Sequence, residues 1–250
     1  MQVDFLNHWG SDLDVVNNAR VSFDKQSTLN HLGNLSLEDQ RLIGYLARGC
    51  KQGYWNDLIL ELKATSETEQ IIAILNEVKH MPEHWAPFAN GIGAKFRIKH
   101  TIPIMRQLFK TKVGTVESEV SRRYVDYTPE VHEPVWRKRA EDVKQGSGSQ
   151  FPEDRQCLLN LIYGTATDGA VRAYDALLEL GVCPEQARFV LPQGAYTEAV
   201  ISNSLYGWAR VYNQRSDRKH AQGEIADVVD IIANHMSKLF PVSWKALTRS

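Results

Sequence analysis

The chain has 250 residues, 43% hydrophobic and 24% charged, and 29 Lys and Arg against 30 Asp and Glu leave a formal net charge of −1. That balance removes the bulk electrostatic case for nucleic acid, and no apolar run approaches membrane-spanning length. Cys50, Cys157 and Cys183 are too few and too scattered for a disulfide framework or a zinc site. With no signal-like start in MQVDFLNHWGSD and no Pro/Gly/Ser linker, the expectation is a soluble, cytoplasmic protein of one domain over residues 1–250, with no metal, membrane or nucleic-acid partner.

In chain order, a short strand is expected at Val3 to Leu6, followed by a helical turn capped by Asp12 and running through Val15 and Val16 toward Phe23. Ser36 opens a capping-box-like Ser-Leu-Glu-Asp, after which Leu42, Ile43, Leu46 and Ala47 recur at helical spacing until Gly49. Residues 54–78 again show helical spacing, interrupted at Thr65 and Ser66. Phe96, Ile98, His100 and Ile102 alternate with Arg97, Lys99 and Thr101, a strand that Pro103 ends, and a helix follows from Ile104 to about Lys110. Beyond Tyr124, Pro129, Pro134 and residues 145–149 read as loop. A helix starts near Pro152, a second helical segment runs from about Thr167 to Leu180 after Gly164, and Glu224 to Leu239 carries a closing apolar stripe. The mixture is α/β in the α+β sense.

The densest chemistry lies between Arg106 and Tyr124. Arg106, Lys110, Lys112, Arg122 and Arg123 surround Gln107, Glu119 and Ser121. Guanidinium forks suit phosphate, so a nucleotide phosphate is the first ligand to consider, whereas the ordinary reading of such a run is a solvated helix or strand face. Elsewhere the residues taken singly have plain alternatives: Ser22 as a turn hydroxyl, His84 as a packed ring, Arg188 as a helix-end side chain satisfying carbonyls.

Residue order carries more. Glu119-x-Ser121-x-Arg123-Tyr124, preceded by Arg106-Gln107-x-Phe109, resembles the signature of the flavin-dependent thymidylate synthases, RHRxxSxNExSxRY with a Gln three positions before its first Arg. Lys110, Thr111 and Lys112 stand where that family has Arg-His-Arg, Ser118 stands at its Asn, and one more residue separates the triplet from Glu119. VVNNARVSF, with Ser22, resembles the family's N-terminal piece. His84-Trp85-Ala86-Pro87-Phe88 resembles His-x-Thr-Pro-Phe, with Ala86, Ala89 and Asn90 departing from the polar positions. Glu185, Ala187, Arg188, Val190, Leu191, Pro192, Tyr196 and Thr197 match GxxxExARxVLPxxxYT, and Arg215, His220, Ala221, Gln222, Glu224 and Ile225 match LRxxxxAQxEI with one extra loop residue. Residues 51–81 then read as a helical insertion.

The resemblance implies a mixed or antiparallel sheet flanked by helices, and a homotetramer with active sites between subunits, Arg188 serving from a neighbour. It implies reductive methylation of dUMP to dTMP, with methylenetetrahydrofolate as carbon donor and NADPH as reductant through FAD. Gln107, Ser121, Arg123, Arg188 and Arg215 are the implied dUMP contacts, and Ser121, Arg188 and Glu119 the implied catalytic group. Ser22, His84, Lys110, Thr111, Lys112, Asn203, Ser204, His220 and Gln222 would lie along FAD or folate. The rival readings are an enzyme on the same scaffold with another nucleotide or product, such as a pyrimidine hydroxymethylase, and a non-catalytic flavin- or nucleotide-binding relative.

Overall fold

A four-stranded antiparallel sheet organises the chain in the computed structural model, which describes residues 1–79, 81–141 and 147–248. Its strands are β1 (Gln2–Trp9), β2 (Gly93–Thr101), β3 (Thr115–Glu119) and β6 (Tyr196–Ser204), in the order β1-β2-β6-β3. The alternation of β2 decides which face is buried. Phe96 pairs with Ile201 and Ile98 with Ala199 on the inner face, while Lys99 pairs with Glu198 on the outer one. The inner face is closed by α5 (Ile102–Phe109), α8 (Leu205–Arg215) and α9 (Gly223–Leu239).

α9 buries Ile225, Val228, Val229, Ile232 and Met236, residues at helical spacing whose transfer from water stabilises by roughly 1.5–3 kcal/mol each. Trp208 of α8 lies edge-on to Phe96 at 5.3 Å and donates its indole N–H to the Ala94 carbonyl at 3.0 Å, so its burial leaves no orphaned donor. Around this centre stand α1 (Asp12–Arg20), α2 (Leu37–Gly49), α3 (Gln52–Ala64), α4 (Thr68–Val78), α6 (Glu153–Glu179), the short α7 (Pro184–Ala187) and α10 (Pro241–Thr248). A small ribbon pairs β4 (Arg137–Arg139) with β5 (Ser147–Gln150). No helix among the described residues is long and apolar enough to cross a membrane.

Several expectations change. Asp12 does not cap its own helix: its carboxylate accepts the backbone N–H groups of Val242 and Ser243 at 2.8 and 3.0 Å, capping α10 instead, and Ser11 holds the N-cap position of α1. Gly164 interrupts nothing, since one glycine costs a helix only about 1 kcal/mol, and α6 runs through it for 27 residues. Pro103 sits in the first turn of α5, where its missing N–H costs nothing, so strand gives way to helix at Ile102. Ser147 to Ser149, expected as loop, form β5; Gln145 and Gly146 lie outside the described residues. Ser36 does cap α2, accepting the Asp39 N–H at 3.1 Å.

Candidate active site

Where β3, the start of β6 and the segment after α7 converge, the chain encloses a cleft of about 680 Å³. Val120 continues the ladder past the end of β3 by donating its N–H to the Glu198 carbonyl at 2.8 Å. The chain then turns on Ser121, whose carbonyl accepts from Tyr124 and whose Oγ accepts from Arg123 N–H at 3.3 Å. Glu119, Ser121 and Arg188, the three implied catalytic residues, all line this one cleft within a single chain. Glu119 is fixed there by the Thr197 hydroxyl, which donates to its carboxylate at 2.8 Å.

Two further guanidiniums that the motif resemblance did not assign to the site, Arg106 and Arg122, face the same space. Their signal was present in the basic run but not in the pattern positions. Arg106 donates to Gln193 Oε1 at 3.3 Å, Arg122 to the Tyr127 carbonyl, and Arg188 to the Glu185 carbonyl at 3.2 Å. All three partners are neutral, and among the described residues none of the three arginines is ion-paired. Some arginines elsewhere are neutralised, Arg97 by Glu198 at 2.7 Å, Arg137 by Glu224 at 2.6 Å and Arg218 by Asp227 at 2.7 Å. Others, such as Arg48 and Arg210, are also without an ion pair among the described residues; what marks the cleft is that three such arginines share one space. With Glu119 the one carboxylate among the described lining residues, the cleft keeps a surplus of two positive charges, three arginines against one acid. An anion of about that charge is what such a wall attracts.

Phe109, Phe189 and Leu191 give the cleft an apolar side. Tyr196 lines it as well as an adjoining cavity of about 280 Å³, and His132 Nδ1 lies 3.0 Å from the Tyr196 hydroxyl. Burial pushes the Tyr196 phenol above its ordinary pKa and keeps it neutral, and burial likewise lowers His132.

The other implied nucleotide contacts do not line the cleft. Arg123 is exposed, with Nε 3.3 Å from a Glu185 carboxylate oxygen. Gln107 donates to Gln222 at 2.9 Å, and Arg215, at the end of α8, has a buried Nε with no partner among the described residues.

The flavin-side set divides. Lys110 caps α5, Lys112 pairs with Glu117 and lies over Phe109, and Thr111 is buried, its carbonyl accepting the Thr115 hydroxyl at 2.6 Å. This turn crosses the end of β6, because Thr115 pairs with Asn203 in register. Ser204 caps α8, its Oγ accepting the Gly207 N–H at 3.0 Å. Asn203 is 1% exposed and both polar atoms of its carboxamide lack a partner among the described residues. It is wedged between Gly207, where a Cβ would come within 1.9 Å of Oδ1, and Gly114. The two glycines make room for the Asn203 carboxamide itself, which lines neither cavity, and its unpartnered donor and acceptor are of the chemistry that a flavin's polar edge takes up. His220 and Ser22 are exposed, and His84 is buried 4.9 Å from the Tyr45 ring beside Gly49 and is not among the residues that line the cleft.

The chain is similar in sequence and in fold to known proteins. Over 165 residues the chain is 34% identical to the flavin-dependent thymidylate synthase of Thermus thermophilus, covering 65% of this chain and 58% of that protein. It is 34% identical over 166 residues to that of Kosmotoga olearia, covering 65% and 70%. The match therefore spans less than two thirds of the Thermus thermophilus relative. In fold it is similar to a UMP/dUMP methylase, PolB from Streptomyces cacaoi bound with 5-Br UMP, with a TM-score of 0.71 and 22% identity over 99% of this chain and 93% of that one. The family described as thymidylate synthase complementing protein matches residues 4–242, nearly the whole length, and the chain belongs to that family.

Proposed function

We propose that the chain is a flavin-dependent thymidylate synthase that converts dUMP to dTMP, with methylenetetrahydrofolate as carbon donor and NADPH as reductant. The observation that carries this reading is the group of three arginines without carboxylate partners, Arg106, Arg122 and Arg188, in a cleft with one acid. A nucleoside monophosphate, with a phosphate charge of about −1.5 to −2, balances the surplus of two.

Arg188 holds the phosphate, Ser121 donates from its hydroxyl to the nucleotide, and Glu119, steadied by Thr197, orients the polar edge of the base. Ser121 is a positioning donor and not a nucleophile: among the described residues its Oγ contacts a backbone N–H and no histidine base. The base lies against Phe109 and Phe189 on the apolar side of the cleft. Asn203, Thr111 and the Lys110–Lys112 turn hold the flavin, which when bound supplies hydride chemistry between reductant and substrate. The homotetramer implied by the family is supported by the apolar residues left exposed along α6, Leu158, Leu161 and Ile162 among them.

The test is mass spectrometry of the nucleotide after anaerobic incubation with dUMP, methylenetetrahydrofolate, FAD and NADPH, with UMP run in parallel. Gain of one methyl group on dUMP is the expected result. A hydroxymethyl product, methylation of UMP alone, or unchanged nucleotide with a folded, flavin-loaded protein each sinks the reading in favour of a different chemistry.

A further inference from the structure

One arginine of the cleft stands where the family pattern is silent. In Glu119-x-Ser121-x-Arg123-Tyr124, Arg122 fills an unassigned position, and in sequence it cannot be told from the Arg beside it. The turn on Ser121 separates them. Arg123 leaves toward Glu185, while Arg122 faces the wall shared by the main cleft and the adjoining cavity.

The guanidinium of Arg122 is also held in place. Its Cζ lies over the Tyr127 ring, 4.3 Å from the centroid, and one N–H is taken by the Tyr127 carbonyl. Stacking on an aromatic face and donation to a carbonyl fix the fork without cancelling its charge, which lowers the entropy lost when the remaining N–H groups engage a ligand. The other cation of the adjoining cavity, Lys99, is neutralised by Glu130 at 2.5 Å. The second acid of that cavity, Glu198, is taken by Arg97 at 2.7 Å, so Arg122 is the cation at that end of the cleft without a carboxylate partner among the described residues.

Resting on the reading of the cleft as the nucleotide site, we propose that Arg122 is a phosphate-holding residue of this chain, acting with Arg188 on the 5′-phosphate. Its fork takes two phosphate oxygens while the apolar side of the cleft, at Phe109 and Phe189, takes the base. The specificity that follows is for the phosphorylated nucleotide over the nucleoside.

The experiment is equilibrium binding of dUMP and of deoxyuridine to the full chain, comparing wild type with Arg122→Gln, Arg122→Lys and, as a charge control on the exposed ribbon, Arg139→Gln. Arg122→Gln is expected to weaken dUMP by about tenfold or more, as for loss of a charge-assisted hydrogen bond, and to leave deoxyuridine within about twofold. Arg122→Lys, which keeps the charge but not the fork, should fall between, with an unchanged melting temperature showing that the turn still folds. Equal losses of dUMP for Arg122→Gln and Arg139→Gln would reduce the effect to bulk charge and overturn the proposal. So would a parallel loss of deoxyuridine, which would make Arg122 a shaping residue. If wild type binds dUMP and Arg122→Gln binds it equally well, Arg122 alone is removed from the site; if folded wild type binds no dUMP, the nucleotide reading falls and takes this proposal with it.

Discussion

Gln107 Nε2 donates to Gln222 Oε1 at 2.9 Å, tying the helix before the basic turn to the N-cap position of α9, 115 residues away. The family resemblance assigned the two to different ligands, Gln107 to the nucleotide and Gln222 to the flavin side. Their contact makes one hydrogen-bonded seam between the two regions. A double-mutant cycle with Gln107→Leu and Gln222→Leu, read by chemical denaturation, is expected to give a coupling of about 0.5–1.5 kcal/mol. Strictly additive losses would mean that the two amides do not depend on each other.

His100 predicts a pH dependence of stability. It is 2% exposed, and burial, reinforced by the N-terminal ammonium and His132 and opposed by Glu224 and Asp227, takes its pKa from 6.5 down to about 4. The folded chain therefore binds this proton less readily than the unfolded one. The contribution is complete above pH 6.5 and is lost as pH falls from there toward 4, where the difference between 6.5 and about 4 corresponds to about 3 kcal/mol. His132, also lowered by burial, adds in the same direction. Denaturation midpoints measured from pH 7.5 to 4.5 should fall for wild type and fall less for His100→Gln. A flat wild-type profile would show that the ring is not held neutral.

Gly207 offers a test of sign. A glycine in the first turns of an exposed helix usually gains about 1 kcal/mol on replacement by alanine. Here the new Cβ would come within 1.9 Å of Asn203 Oδ1, a side chain enclosed on every side, so Gly207→Ala is expected to destabilise by about 2 kcal/mol. Adding Asn203→Ala removes both the clash and an unsatisfied amide, and the double variant should be more stable than Gly207→Ala alone. The reverse order in urea titrations would mean that the amide is well satisfied where it lies.

These residues also mark how far the sequence could be read. β2 and α9 were legible because burial on one face leaves a local period, two for Phe96, Ile98 and His100, and helical for Ile225 through Met236. β6 was not anticipated, although it is central to the sheet: Ser202, Asn203 and Ser204 end it with polar side chains, of which Ser204 caps α8, and these mask the apolar alternation of Ala199 and Ile201. Asp12 was read as a local cap because its true partners, Val242 and Ser243, lie at the far end of the chain. Motif order named Glu119, Ser121 and Arg188 but expected Arg188 from a neighbouring chain, whereas all three line one cleft of a single chain; which of two neighbouring arginines faces it is decided by a turn geometry that residue types do not encode.

The last prediction concerns α6. Of its 27 residues only Thr167 and Tyr174 are buried, and Leu161 and Ile162 are 68% and 61% exposed. Adjacent apolar residues left in water on a helix this long forgo roughly 1.5–3 kcal/mol each, a deficit that association of chains would recover. Leu161→Glu together with Ile162→Glu should therefore lower the assembled mass in sedimentation equilibrium while leaving the far-ultraviolet circular dichroism unchanged, because neither side chain supports the fold of its own chain. Phe189, 79% exposed at the mouth of the cleft, connects assembly to the site: if a neighbouring chain covers it, the dissociated variant should bind dUMP more weakly although every residue of its own cleft is intact. A wild-type protein that sediments as a single chain, or a variant that assembles as before, would show that α6 is not the surface through which the chains meet.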